Sequence, residues 1–243
     1  MEELDFFRAL HRPGVILDVG AHDGLLTHPL AALPGAEVIA FEPLPSAMAR
    51  LTASFGAAPP PHVTLRPEAL GAAPGEAMLT LPVLDGAPVE QWASLVKDYA
   101  AHASVTTEAH RVPVITLDSL GLSRLVAVKL DAEGAEGEVI AGARATLTRN
   151  RPVLSVEIEE RHRAGSTREV PAALAALGYS AWYWDAGAVQ PFARFDAATM
   201  QVASADPAVF GASDPYVFIF FFLPREEEAA LLGRLAAAGY PTA

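Results

Sequence analysis

Val15-Ile16-Leu17-Asp18-Val19-Gly20-Ala21-His22-Asp23-Gly24 is the stretch on which the fold turns. An apolar run closed by a glycine reads as a buried strand that ends in a tight turn. Glycine at a strand-to-helix turn lets backbone approach a ligand closely. A dinucleotide fold would place G-x-G-x-x-G here, so that amides at a helix N-terminus cradle a pyrophosphate. The pattern is instead D-x-G-x-x-x-G, with no middle glycine and with Asp18 at the strand end. That carboxylate repels pyrophosphate and suits a ligand with an ammonium group and no phosphate, such as the methionine end of S-adenosylmethionine. An ordinary glycine turn is the plainer alternative.

Outward from this turn, apolar runs alternate with helix-like stretches. Leu25 to Leu33 reads as a helix, Glu37 to Phe41 as a second strand, Ser46 as the N-cap of a helix through Ser54, and His62 to Arg66 as a third strand. Strand, helix, strand, helix, strand implies parallel βαβ units with right-handed crossovers. Glu76 to Leu81 and Val112 to Leu117 read as further strands, with Pro82 ending the first. Residues 85–110, with Trp92, Tyr99, His102 and His110, read as a cap or insertion with one helix near Glu90–Ala101. About 25 residues cannot build their own core, so the expectation is a single domain over 1–243. The pattern returns with strands at Leu125–Leu130, Val153–Ile158, Tyr179–Trp184 and Val217–Leu223. Helices are expected at Glu136–Thr148, Thr167–Leu177 and Arg225–Gly239, with mostly loop from Gly187 to Ser213.

Composition narrows the function. Cysteine is absent, which excludes thiolate zinc, a cysteine nucleophile and iron–sulfur chemistry. The net charge is −12, from 29 acids against 17 bases, and such a surface repels a phosphate backbone or an anionic membrane. Neither nucleic acid nor membrane is an expected partner. The N-terminus is acidic and no apolar run approaches the roughly 20 residues of a membrane span, so the expected location is cytoplasmic.

Three further constellations carry chemistry. Glu42 closes the second strand 24 residues after Asp18, where an acid accepts hydrogen bonds from a ribose diol. Glu68-Ala69-Leu70-Gly71 follows the third strand and offers small apolar surface for an adenine. Lys129-Leu130-Asp131-Ala132-Glu133-Gly134-Ala135-Glu136 crowds acids at a strand end beside one of only two lysines. Open α/β sheets bind ligands there, and packed like charges suit acid/base work or a divalent cation. Glu157, Glu159 and His162 close the next strand, and His162 is a candidate general base.

These motifs resemble the FkbM-type methyltransferases. The resemblance rests on Asp18-Val19-Gly20-Ala21 with Gly24, Phe41-Glu42-Pro43, Ala69-Leu70-Gly71, Thr116-Leu117-Asp118, Lys129 to Glu136, and Pro152 to Glu157. It covers roughly residues 14 to 224. It implies a Rossmann-like, seven-strand class I methyltransferase fold, a mostly parallel α/β sheet with an antiparallel last strand. It also implies S-adenosylmethionine as cofactor, with Asp18, Gly20, His22 and Gly24 at the methionine end, Glu42 on the ribose, and Glu68, Ala69 and Leu70 at the adenine. His22 departs from the family, which usually has asparagine there.

The expected activity is O-methylation of a hydroxyl on a small molecule, sugar or natural product. Asp131, Glu133 and His162 are the candidate catalytic groups, Lys129 orients them, and Asp131 also faces the cofactor. Catechol-type O-methyltransferases carry metal-binding acids at two such strand ends. By that likeness Asp131, Glu157 and Glu159 are candidate ligands for magnesium or manganese. The alternatives are a nicotinamide-dependent oxidoreductase, which the missing G-x-G-x-x-G opposes, and a non-catalytic methyltransferase-like binding domain. The acceptor's identity and the oligomeric state stay open.

Overall fold

A computed structural model describes residues 1–97, 105–202 and 216–243. Its elements in chain order are α1 (Glu3–Leu10), β1 (Gly14–Val19), α2 (Thr27–Ala31), β2 (Ala36–Phe41), α3 (Pro45–Ser54), β3 (Val63–Arg66), β4 (Ala69–Leu70), β5 (Gly75–Leu84) and β6 (Ala87–Pro88). After a 3-10 turn at Glu90–Trp92 come β7 (Val105–Ile115), β8 (Leu125–Leu130), α4 (Glu136–Ala141), α5 (Arg144–Asn150), β9 (Val153–Glu157) and α6 (Ser166–Ala176). β10 (Tyr179–Asp185), β11 (Ala188–Pro191), α7 (Ala197–Met200), β12 (Ile219–Pro224) and α8 (Glu228–Ala237) complete the described chain.

The main sheet runs β11-β10-β12-β9-β8-β1-β2-β3. β3, β2, β1, β8 and β9 are parallel, and β12 is antiparallel to both β9 and β10. This is the mostly parallel α/β sheet with an antiparallel last strand that the family resemblance implies. It holds eight strands rather than seven. Ala186 (φ 48) and Gly187 (φ 77) form a two-residue turn with both φ positive, which returns the chain as β11 where a loop was expected.

Side-chain alternation sends each strand to two cores. Val15, Leu17, Val19, Val128 and Leu130 pack under α4, α5 and α6. Ile16, Val38, Ala127 and Phe221 pack under α1, α2 and α8, with Phe6 stacked on Phe221 at 4.4 Å. The second face also carries a buried polar row. Asp18 pairs in register with Lys129, and Lys129 with Ser155.

A second sheet, β4-β7-β5-β6, leans against the carboxyl edge of the first through Leu44, Ala69, Leu79, Leu81 and Val112. Segment 85–110 is therefore partly hairpin. Pro82 does not end β5, because its carbonyl accepts the Val89 amide at 2.9 Å while the strand continues. The helix expected over Glu90–Ala101 opens instead as the 3-10 turn; residues 98–104, with Tyr99 and His102, lie outside the described residues. The expected Glu136–Thr148 helix is split at Gly142, whose added Cβ would lie 2.0 Å from the Gly71 carbonyl oxygen. Leu44, not Ser46, caps α3, and Pro45 takes its first turn. Among the described residues no helix is long and apolar enough to cross a membrane.

Candidate active site

A cavity of about 500 Å³ opens at the carboxyl ends of β1, β2, β8 and β9, with the second sheet along one side. Its floor is the polar row. Asp18 is buried, and its Oδ2 accepts the Thr27 hydroxyl at 2.6 Å. Lys129 is buried too, and its Nζ donates to the Gly20 carbonyl at 2.6 Å. The same Nζ lies 3.3 Å from Asp131 Oδ2 and 3.7 Å from Asp18 Oδ1. Burial pulls the Lys129 pKa down, but the charges of Asp131, Asp18 and Glu3 outweigh it and hold the ammonium above its usual range. Lys129 thus knots the first glycine turn to the acidic turn after β8. Only glycine fits at position 20, where φ is +76° and a Cβ would meet the Asp131 carbonyl oxygen at 2.0 Å.

Glu42 lies above this floor. Its Oε2 accepts the His22 amide and its Oε1 the Leu44 amide, each at 2.8 Å. Burial raises its pKa, and the two amides oppose the rise. Each oxygen keeps a second acceptor site, as a ribose diol requires. His22 has φ 49, in the left-handed region where asparagine, aspartate and histidine are most at home. The departure from asparagine therefore leaves the backbone turn intact. The His22 ring reaches the cavity rim, with Nε2 3.7 Å from Glu90 Oε2, and Glu90 in turn pairs with Arg50 of α3. Gly24 does not line the cavity; its Cβ would strike Leu51 of α3 at 2.8 Å, so it is a packing glycine. Ala69, Leu70 and Glu68 do line it, and Arg66 holds Glu68 at 2.6 and 3.0 Å, keeping its carboxyl below the usual range.

The acidic turn splits into structural and reactive parts. Glu136 Oε1 accepts the amides of Ala132 and Gly134, both at 3.0 Å, so it builds the turn; burial pushes it up to about 7. Glu133 lines the cavity at φ 51, pairs with Lys97, and lies 3.4 Å from His162 Nε2. Burial, and then the neighbouring Asp131, push Glu133 up to about 8. His162 sits behind it and does not line the cavity. Its Nε2 is also 3.1 Å from Glu159, and burial holds its pKa down at about 4, so the ring is neutral. His162 is placed to support Glu133 rather than to touch an acceptor.

The expected metal set is not gathered. Asp131 is engaged by Lys129, and Glu159 by Arg161, His162 and the Tyr216 hydroxyl. A different trio, Glu133, Glu157 and His162, brings donor atoms within 4.8 Å of one another, but Lys97 already sits on Glu133. The trio that the fold gathers thus shares only Glu157 with the expected set. Nothing in the sequence reading flagged Glu3, Lys97, Glu90 or Arg161. Trp92 lines the cavity, whereas Trp182 donates to Glu228 and Trp184 packs on Tyr240, both away from it.

A test of cofactor fit comes from orphaned atoms. Asp18 Oδ1 and Asp131 Oδ1 belong to residues that line the cavity and accept no hydrogen bond, a donor-seeking pair whose chemistry fits an ammonium group. The model of the methyltransferase FkbM domain matches residues 18–181. The chain belongs to the FkbM methyltransferase family. It therefore carries an S-adenosylmethionine-dependent methyltransferase domain. The structure of methyltransferase FkbM from Methylobacillus flagellatus KT is similar at TM-score 0.53 and 13% identity, over 90% of this chain and 50% of that one. This chain thus spans half the length of that FkbM relative. A putative rRNA-methylase from Clostridium thermocellum is similar at TM-score 0.50 and 12% identity, over 90% and 91% of the two chains. Identities this low show a shared fold alone. No curated protein matches the sequence.

Proposed function

We propose that this FkbM chain transfers the methyl group of S-adenosylmethionine to a hydroxyl oxygen of a small molecule, sugar or natural product. The observation that carries this is Glu133, a cavity-wall carboxyl raised to about 8 beside the acidic turn. An attacking hydroxyl must lose a proton, and a base works best when its pKa lies near the working pH. When bound, the cofactor would supply an electrophilic methyl group. Asp18 Oδ1 would meet its ammonium, Glu42 its ribose, and Ala69-Leu70 its adenine, with Asp131 on the same cavity wall. Glu133 would take the proton that the acceptor hydroxyl gives up. His162 and Lys97 fix that carboxylate, and most of the rate comes from positioning.

The rRNA-methylase of similar fold raises an RNA acceptor as a second reading. A chain of net charge −12 with an acidic cavity repels a phosphate backbone, so the small-molecule reading is favoured. The test uses donor labelled with carbon-13 at the methyl, incubated with panels of sugars, polyketides, amines and RNA. Methoxy product with S-adenosylhomocysteine release supports the reading; N-methyl or RNA product alone overturns it. Turnover should also survive exhaustive chelation, and activity that returns only with magnesium or manganese would reinstate a metal.

A further inference from the structure

The chain after β6 runs from one cavity wall to the other as a strap that is tied down at both ends. At the far end the buried Ser94 hydroxyl donates to the Glu133 carbonyl at 2.6 Å and accepts the Val96 and Lys97 amides, each at 3.1 Å. Ser94 also exchanges two backbone hydrogen bonds with Thr80 of β5, at 2.9 and 3.0 Å, and Lys97 pairs with the Glu133 carboxylate. At the near end Glu90 pairs with Arg50 of α3, and the Ser46 hydroxyl, one helical turn earlier on α3, bonds the same carboxylate. Between the two ends Trp92, Ala93 and Leu95 line the cavity that Gly20, His22 and Glu42 also line.

The two ends are built differently. The far end combines buried side-chain and backbone bonds that support one another. The near end hangs on an ion pair whose Arg50 side chain is 46% exposed. A pair that water reaches holds weakly and exchanges readily. The strap therefore lets go at Glu90 before it lets go at Ser94. The near end also bears on the turn that would seat the cofactor. Arg50 donates to His22 Nε2 at 3.3 Å, and the His22 amide donates to Glu42 Oε2 at 2.8 Å. A ribose on Glu42 would thus lie next to the one part of the strap that can open.

We propose that Glu90 and Arg50 are positioning residues for the cofactor: their ion pair latches the strap over the occupied site and opens to release S-adenosylhomocysteine, with Ser94 as the fixed hinge beside Glu133. Closed, the latch holds Trp92, Ala93 and Leu95 against the bound cofactor and keeps the strap's far end on the base. This rests on the cofactor reading and adds the element that retains the cofactor.

The test times the release of S-adenosylhomocysteine by stopped-flow displacement, which needs no acceptor and no turnover. Glu90→Arg and Arg50→Glu should each speed release by about fivefold or more, and the double swap should return it to within about twofold of the unaltered protein. In the unaltered protein, amide-resolved hydrogen exchange gives a second readout. The Trp92 and Ala93 amides, bonded to the Val89 and Glu90 carbonyls, should exchange more slowly with S-adenosylhomocysteine bound, while the Ser94 amide, bonded to Thr80, should not change. Release within about twofold of the unaltered rate in both single variants overturns the latch. Fast release that the swap does not correct would assign one of the two side chains to the cofactor itself, and overturns the latch too. Exchange at Trp92 and Ala93 that is the same with and without ligand overturns it without any variant. A chain that fails to bind S-adenosylhomocysteine at all sinks the cofactor reading itself, and this proposal with it.

Discussion

Glu42 and Glu133 share a chemistry and differ in task because their surroundings differ. Glu42 is pinned by two backbone amides and leaves lone pairs for a diol. Glu42→Gln should weaken S-adenosylmethionine binding by about 1.5–3 kcal/mol in calorimetry; a loss under twofold would remove Glu42 from the site. Glu133 should show itself in the pH profile. With its pKa at about 8 in the free protein, kcat/KM should climb as pH rises through that value, and Glu133→Gln should flatten the climb and lower the plateau by about 100-fold or more. An unchanged limb in the variant would pass the role of base to another group. Asp18, Gly20 and Glu42 were legible from sequence because apolar runs end at them, which locates them at one sheet edge. Glu3 was not. It lies 152 positions from Ser155, whose hydroxyl donates to it at 2.5 Å. The one local hint was a serine in the buried run Val153-Leu154-Ser155-Val156.

Elements were legible where hydrophobic periodicity was unbroken. β1, β2, β8 and β9 fall within about a residue of their apolar runs. The second sheet was obscured by Pro82, Pro113 and the polar Thr106-Thr107-Glu108 run on its exposed face. Its clearest signal was Asp85-Gly86, both at positive φ, a dipeptide that turns hairpins. The split between α4 and α5 was invisible because its cause is a distant carbonyl. This yields a paired prediction in chemical denaturation. Gly142→Ala should cost about 2–4 kcal/mol, since its methyl would overlap the Gly71 oxygen. Gly137→Ala, inside α4 with its nearest neighbour 3.9 Å away, should stabilise by about 0.5–1 kcal/mol. Equal effects would mean that the helix break is not set by that approach.

Over the whole molecule, buried acids make stability pH-dependent. Burial raises Glu3, Glu42, Glu136 and Glu157, and lifts Glu133 to about 8. A raised carboxyl contributes stability that is complete below its unfolded pKa and lost as pH climbs through its folded one. That loss runs from 4.5 up to about 7 for Glu136 and to about 8 for Glu133. His162 acts oppositely, because its lowered pKa of about 4 removes stability as pH falls from 6.5. From about pH 4.5 upward the raised carboxyls outnumber His162, so the ligand-free melting temperature should be highest near about pH 5 and decline through about pH 8. Glu136→Gln should soften the alkaline decline. A melting temperature that rises steadily to about pH 9 would contradict these burial effects.

The place of β12 between β9 and β10 bears on how the chain is made. On a ribosome, the parallel half of the sheet emerges first, and β9 is then its open margin. Val153, Leu154 and Val156 line that margin, with backbone groups bare until β12 is released to pair with them. Such a margin is a template for pairing with any other unfinished chain. Translation that stalls before Ile219 thus leaves a sticky intermediate, and closure of the sheet is a checkpoint that waits for β12.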